Sequence, residues 1–142
     1  MFANPTAAQI TRLLRDARTI AIVGLSADRT RPSHGVARAL QRFGYRIIPV
    51  NPHVESVLGE PAVPALDQVA DVLGADERVD IVAVFRRPVY VADIVTDCIR
   101  LGMPALWLQE GVVDAAAAER AAHAGIFAVM DRCIFKEREK LR

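Results

Sequence analysis

Short apolar runs alternate with longer amphipathic stretches along this chain. Five runs of four to six mainly apolar residues predict buried β-strands, at residues 20–23, 46–50, 80–85, 105–109 and 127–130. A two-residue piece at 62–63 predicts a further short strand at the edge of the sheet. Apolar positions at helical spacing predict the helices, at residues 6–17, 35–43, 67–73, 88–101 and 114–124, with a C-terminal helix from about residue 134.

Capping residues mark several of these boundaries. Thr6 and Gln9 have the spacing of a capping box, in which each side chain bonds to the backbone N–H of the other residue. Pro88 stands where the first turn of a helix tolerates proline, and Gly44 and Gly102 follow helices as C-caps do. The amphipathic segments therefore begin and end on ordinary helix signals.

The alternation of strands and helices predicts the fold class. Strands that are apolar throughout and are separated by helices indicate a parallel sheet covered on both faces. We expect one α/β domain over residues 1–142, doubly wound and Rossmann-like, with a mainly parallel sheet of five or six strands. Strand 20–23 should be central, and a ligand should bind between its carboxyl end and that of strand 80–85, where the winding reverses.

Composition excludes several classes of protein. The net charge of +1 argues against a nucleic-acid binder, and no apolar stretch approaches the length of a membrane span. The N-terminus has no secretory signal, and Cys98 and Cys133 form no C-x-x-C pair, so we expect a cytoplasmic protein with reduced thiols. The spacing of His34, His53 and His123 matches no metal site.

The segment from residue 19 to residue 35, TIAIVGLSADRTRPSHG, carries the most chemical information. A buried strand runs into Gly24, then into a polar loop, and then into a helix-forming stretch. This arrangement is typical of phosphate binding in open α/β sheets, because backbone N–H groups and the helix dipole favour an anion there. The dinucleotide form requires G-x-G-x-x-G, whereas here the next glycine is Gly35, eleven residues on. The loop therefore predicts a phosphate ligand other than NAD.

The end of the second strand supports the same conclusion. An NAD site usually has an acidic residue there to hold the ribose hydroxyls, and this chain has Asn51 followed by proline. Arg29, Arg31 and His53 instead offer positive charge for a ligand that carries more phosphate than NAD.

Five segments in order between Thr19 and Arg138 match a known family. They are VGLSADRTRPSHGV, GYRIIPVNP followed by VLGE, VDIVAVFRRP, ALWLQEG and MDRCI. With them the chain resembles the small single-domain CoA-binding proteins, whose Rossmann-like domain is similar to the N-terminal domain of the succinyl-CoA synthetase alpha subunit. The resemblance implies CoA or acyl-CoA as the ligand.

The resemblance also implies a set of site residues. The diphosphate would lie against Gly24, Leu25, Ser26, Arg31, Pro32 and Ser33. The adenosine would sit on Asn51 and Pro52, with the ribose 3′-phosphate near His53. The adenine and pantetheine path would be bordered by Phe85, Arg86 and Arg87, and the pantetheine arm would meet Gln109, Glu110 and Gly111. Cys133 follows the last strand, where it either packs in the core or borders the pocket.

No catalytic machinery is expected in this chain. The alpha subunit of the synthetase carries its phosphorylated histidine on a second domain, and this sequence ends after the first. Glu110 is the lone carboxylate of the predicted pocket, without a paired group for acid–base work. We therefore expect a CoA- or acyl-CoA-binding carrier, sensor or regulatory partner, present as a monomer or weak homodimer. Two alternatives stay open: a separate CoA-binding subunit of an acyl-CoA ligase, and an NAD(P)-binding redox sensor.

Overall fold

Five parallel strands form the central sheet of the computed structural model, which describes residues 1–141. Their order across the sheet is β2-β1-β5-β6-β7, and their bounds are β1 Thr19–Val23, β2 Arg46–Val50, β5 Ile81–Val84, β6 Ala105–Leu108 and β7 Phe127–Met130. A separate antiparallel hairpin consists of β3 Ser56–Val57 and β4 Glu60–Pro61. The predicted α/β Rossmann-like fold is confirmed, since every pair in the five-stranded sheet is parallel.

The helices connect the strands and cover the sheet. They are α1 Ala7–Asp16, α2 Pro32–Arg42, α3 Val91–Leu101, α4 Ala115–His123 and α5 Ile134–Glu139, with 3₁₀ helices at Leu66–Val72 and Pro88–Tyr90. The predicted capping box is present at α1, where Thr6 and Gln9 bond to each other's backbone. Among residues 1–141, no helix combines the length and the apolar character needed to cross a membrane.

Two hydrophobic cores flank the sheet because successive residues of a strand face opposite sides. In β1, Ile20 and Ile22 pack with α1, α2 and α5. Ala21 and Val23 pack on the other side with α3, α4 and the first 3₁₀ helix. All five residues of β1 are buried, which explains why this strand was recognisable as a continuous apolar run.

The prediction that strand 20–23 is central is wrong, because β5 is the middle strand and β1 lies second from the edge. The predicted helix at 88–101 begins as the 3₁₀ helix Pro88–Tyr90. Three further elements differ in detail. Helix α2 begins at Pro32 rather than at residue 35, because proline is well suited to the first position of a helix. The predicted helix at 67–73 is a 3₁₀ helix, in which Leu66 and Val69, three residues apart, turn the same side to the core. The predicted edge strand at 62–63 is reduced to a single parallel bridge between Val63 and Val50.

Helix α5 contacts residues from the first third of the chain. Arg138 donates from Nε to the Tyr45 hydroxyl oxygen at 3.0 Å, and the Tyr45 hydroxyl donates to the Leu14 carbonyl oxygen. The Arg138 guanidinium also lies 4.6 Å from the centre of the Phe43 ring. These contacts hold the last turn of α5 against α1 and the end of α2.

The end of β1 approaches the end of β5 very closely at Gly24. Its φ of +86° lies in the left-handed region, and a Cβ atom there would fall 2.6 Å from the Phe85 carbonyl oxygen. A side chain at this position would therefore strain the backbone and push the two strand ends apart. Glycine is required at Gly24 for both reasons.

The Gly24→Ala variant should lose more stability than a matched Gly125→Ala variant. Gly125 has φ +88° and nothing within 4 Å of an added Cβ, so its substitution introduces backbone strain alone. We expect a loss of about 1–2 kcal/mol for Gly125→Ala, and roughly 1–3 kcal/mol more for Gly24→Ala because of the clash. Urea unfolding of both variants measures the difference. Equal losses would show that the contact with Phe85 is easily relieved.

Candidate functional site

A cleft of about 750 Å³ opens at the carboxyl ends of β1, β5 and β6, and we call it the first cleft. Its volume falls within the range of small-molecule and cofactor sites. The segments that line it are the β1–α2 loop, the first turn of α2, the ends of β5 and β6, and the start of α5. Of the residues predicted for the site, it brings together Gly24, Ser26, Arg31, Pro32, Ser33, Phe85, Arg86, Arg87, Gln109, Glu110, Gly111 and Cys133.

The β1–α2 loop is held by its own hydrogen bonds. The Ser26 backbone N–H donates to Ser33 Oγ at 3.1 Å, and the Asp28 backbone N–H donates to Ser26 Oγ at 3.0 Å. Hydrogen bonds from Thr30 lower the pKa of the Asp28 carboxyl, and the nearby charges of Arg31 and His34 lower it further. The loop is thus ordered by its own side chains and leads directly into the positive end of α2.

The end of β5 supplies two guanidinium groups. Arg86 lies with its Cζ 4.0 Å from the centre of the Tyr90 ring, and Arg87 lies 5.9 Å from the same ring. Cation–π contacts of this kind hold a guanidinium without neutralising it.

The charged groups of the first cleft leave it positive. Within residues 1–141, no carboxylate pairs with Arg31, Arg86 or Arg87. The one acid lining the cleft, Glu110, is engaged by Lys136, whose Nζ lies 3.2 Å from both carboxylate oxygens. An anionic ligand is the natural complement of this arrangement.

The end of β6 is braced against β7 and α5. The backbone N–H of Ile134 donates to Gln109 Oε1 at 3.2 Å, so the buried Gln109 side chain orients the first turn of α5. Asp131, at φ +58°, accepts the Gly111 backbone N–H at 2.9 Å. Trp107 donates from Nε1 to the Arg132 carbonyl oxygen at 2.8 Å. These three bonds place Gln109 and Gly111 at the wall of the cleft.

The two cysteines occupy different environments. Cys98 is fully buried in α3, and burial raises the pKa of its thiol to about 12, so this side chain behaves as a small apolar group. Cys133 precedes α5, packs among buried residues and also lines the first cleft. Cys133 thus packs in the core and also borders the first cleft.

Four predicted site residues lie outside the first cleft. Leu25 is fully buried in the core beneath α2. Asn51 donates from Nδ2 to the Leu25 carbonyl oxygen at 3.0 Å and accepts the His53 backbone N–H at 2.8 Å. Asn51 thus joins two loops, while Pro52 and His53 are exposed and line no part of this cleft.

Sequence reasoning missed some of the apolar wall. Val36 and Val112 line the first cleft beside Phe85, together with Pro88. Val36 lies four residues after Pro32 and therefore on the same face of α2, so helical spacing could have predicted its place in the cleft. Within residues 1–141, no group of three His, Cys, Asp or Glu side chains is arranged to hold a metal ion.

Comparisons with known proteins agree with this architecture. An uncharacterised protein of Bacillus subtilis (strain 168), YneT, is 37% identical over 131 residues, which is 92% of this chain and 93% of that protein. A solved structure from Thermus thermophilus is 35% identical, with a TM-score of 0.86, and the match covers 97% of this chain and all of that one. A hypothetical protein from Pyrococcus horikoshii OT3 is 29% identical, with a TM-score of 0.85, and the match covers 99% of this chain and 97% of that one.

The family itself is defined by a match over most of the sequence. A family model described as a CoA binding domain matches residues 18–139, a span that begins just before β1 and ends with α5. This span contains the whole parallel sheet and every residue of the first cleft. The chain therefore belongs to the CoA-binding domain family.

Proposed function

We propose that the first cleft binds CoA or an acyl-CoA, and that the protein acts as a carrier, sensor or regulatory partner rather than as a catalyst. The observation that carries this proposal is the combination of unpaired guanidinium groups with apolar walls in one cleft. CoA presents phosphates together with a long, sparsely polar pantetheine arm, and it suits such a lining. In this role residues 1–142 would act as one CoA-binding domain.

The diphosphate would lie across the β1–α2 loop. Gly24, Ser26 and Ser33 line the cleft at this point, and the positive end of α2 adjoins them. The absence of a side chain at Gly24 lets the end of β5 close against this loop, which brings Arg86 to the wall of the cleft. Arg31, Arg86 or Arg87 would balance the charge of the diphosphate, since none of them is neutralised within residues 1–141.

The pantetheine arm would continue along the end of β6. Gly111 exposes backbone there, and Val112 and Phe85 offer apolar surface on either side. Cys133 stands in the same wall, at the start of α5. The amides of the arm would thus hydrogen-bond to polar groups of residues 109–111, and its methylene groups would pack against the apolar side chains.

The lining of the first cleft supports a binding role over a catalytic one. Cleavage or transfer of a thioester needs a nucleophile with an adjacent base, or a base that activates water. No histidine lines the cleft, Ser33 Oγ accepts the Ser26 N–H, and Glu110 is engaged by Lys136. None of the residues that line the cleft forms a nucleophile–base pair.

CoA should bind at least about tenfold more tightly than NAD, a difference of about 1.4 kcal/mol. The end of β2 has Asn51 in place of an acid, and its amide is engaged by Leu25 and His53, so nothing there holds the ribose diol of NAD. Calorimetric titrations of CoA, NAD and NADP at one ionic strength provide the measurement. NAD binding as tight as CoA binding would contradict the assignment, and tighter NADP binding would favour the redox-sensor alternative.

Purified protein should not hydrolyse or ligate CoA thioesters. The expected rate with acyl-CoA, with or without ATP, is that of the buffer, because none of the residues that line the first cleft forms a nucleophile–base pair. A thiol assay of the wild type and of Glu110→Gln tests this, by following thiol release from acyl-CoA and thiol loss from CoA supplied with a carboxylate and ATP. Turnover that disappears in Glu110→Gln would overturn the binding role, and turnover that appears only with a second protein would favour the ligase-subunit alternative.

A further inference from the structure

A second cleft, of about 570 Å³, lies on the other side of the first turns of α2. Ser33 and Val36 face the first cleft, whereas His34, Gly35 and Arg38 line the second. The opposite wall of the second cleft is the β3–β4 hairpin with its turn, residues 56–59. Both clefts border the β1–α2 loop, which contributes Arg31 to the first and Arg29 to the second.

The lining of the second cleft is basic and contains no carboxylate. Arg29 and Arg38 are exposed, and neither forms an ion pair with any residue from 1 to 141. The neighbouring acid, Asp28, uses Oδ1 to accept hydrogen bonds from the backbone and hydroxyl of Thr30. Two guanidinium groups are therefore left to a ligand or to solvent.

His34 is the second and independent indication of a ligand. Only 8% of this residue is exposed, yet within residues 1–141 its imidazole makes no hydrogen bond, and it lines the second cleft. An imidazole carries at least one N–H donor, and the ring nitrogens of His34 are not among the buried atoms that lack a partner. They therefore reach the solvent of the second cleft, where the ring can donate to a ligand together with Arg29 and Arg38.

We propose that the second cleft binds a phosphate monoester group, with Arg29, His34 and Arg38 as its donors. A phosphate dianion offers three strong acceptor oxygens, enough for all three side chains, whereas a carboxylate offers two oxygens and a single charge. Two molecules could supply the group. The first is CoA bound in the first cleft, whose 3′-phosphate would reach the second; this possibility rests on the proposed function. The other is a separate phosphorylated ligand.

The chain offers two matched pairs of variants. An added Cβ at Gly35 meets nothing within 4 Å, so Gly35→Glu and Gly35→Gln place side chains of equal size, differing in charge, at the second cleft. Arg38→Gln removes one proposed donor, and Arg42→Gln removes another exposed charge from the last turn of the same helix.

The probes are CoA, 3′-dephospho-CoA and inorganic phosphate at constant ionic strength. Their binding is measured by calorimetry and by the NMR shift of the His34 imidazole.

If the group is the 3′-phosphate, Gly35→Glu and Arg38→Gln should weaken CoA binding roughly twofold to fivefold, as expected for an exposed ion pair. Arg42→Gln should bind CoA as the wild type does, Gly35→Glu should bind it more weakly than Gly35→Gln, and 3′-dephospho-CoA should bind equally to the two members of each pair. If the group belongs to a separate ligand, CoA binding should be equal throughout, and the same two variants should weaken inorganic phosphate alone.

The proposal is overturned if each variant matches its control with both CoA and inorganic phosphate. It is also overturned if His53→Ala abolishes the preference for CoA over 3′-dephospho-CoA while Arg38→Gln keeps it, because the 3′-phosphate would then lie at His53. Failure of the proposed function gives a different result. Wild-type protein would not bind 3′-dephospho-CoA, which keeps the diphosphate and pantetheine arm and lacks only the group assigned to the second cleft.

Discussion

The carboxyl ends of β1 and β5 stand so close together that no side chain fits at Gly24. A Cβ atom there would lie 2.6 Å from the Phe85 carbonyl oxygen and 2.8 Å from Arg86 Cδ. The same contact determines the course of Arg86, whose stem packs against Gly24 and whose guanidinium stacks on Tyr90. The close approach of the two strand ends, and with it the position of the Arg86 side chain, thus depends on the absence of a side chain at the end of β1.

Charge is distributed differently in the two clefts and elsewhere on the surface. Some arginines away from the clefts are paired with acids: Arg100 contacts Asp67 at 2.9 Å, and its hydrogen bonds lower the pKa of that carboxyl. Arg46 is likewise paired with Glu77. The arginines that line the clefts have no such partner within residues 1–141, so the net charge of +1 conceals a concentration of positive charge beside α2 and β5.

The sheet was predictable because its strands are buried on both faces and are therefore apolar without interruption. The predicted strand at 127–130 coincides with β7, and the predicted strand at 46–50 coincides with β2. The β3–β4 hairpin was missed because strands of two residues show no periodicity. Its absence from the prediction also hid the second cleft, one wall of which it forms.

The candidate site was predictable where the backbone alone determines position. Residues directly after β1, β5 and β6 meet at one edge of a parallel sheet, and the first cleft contains them. Side-chain direction was not predictable: Asn51 follows β2, yet its amide turns to Leu25 and joins two loops. That the His34 imidazole has no hydrogen-bond partner within residues 1–141 was also not predictable, because it is visible only when every neighbour is placed.

The binding of CoA in the first cleft is tested most directly by following backbone amides in a two-dimensional NMR titration with CoA. Gly24, Ser33 and Gly111 border the cleft. The NMR signals of their backbone amides should shift together, and the shifts should saturate at one equivalent of CoA per chain. Gly102 and Gly125 lie at the opposite side of the sheet, before the amino ends of β6 and β7. The NMR signals of their amides should not shift. Shifts concentrated at that opposite edge, or no saturable shift at all, would contradict the assignment.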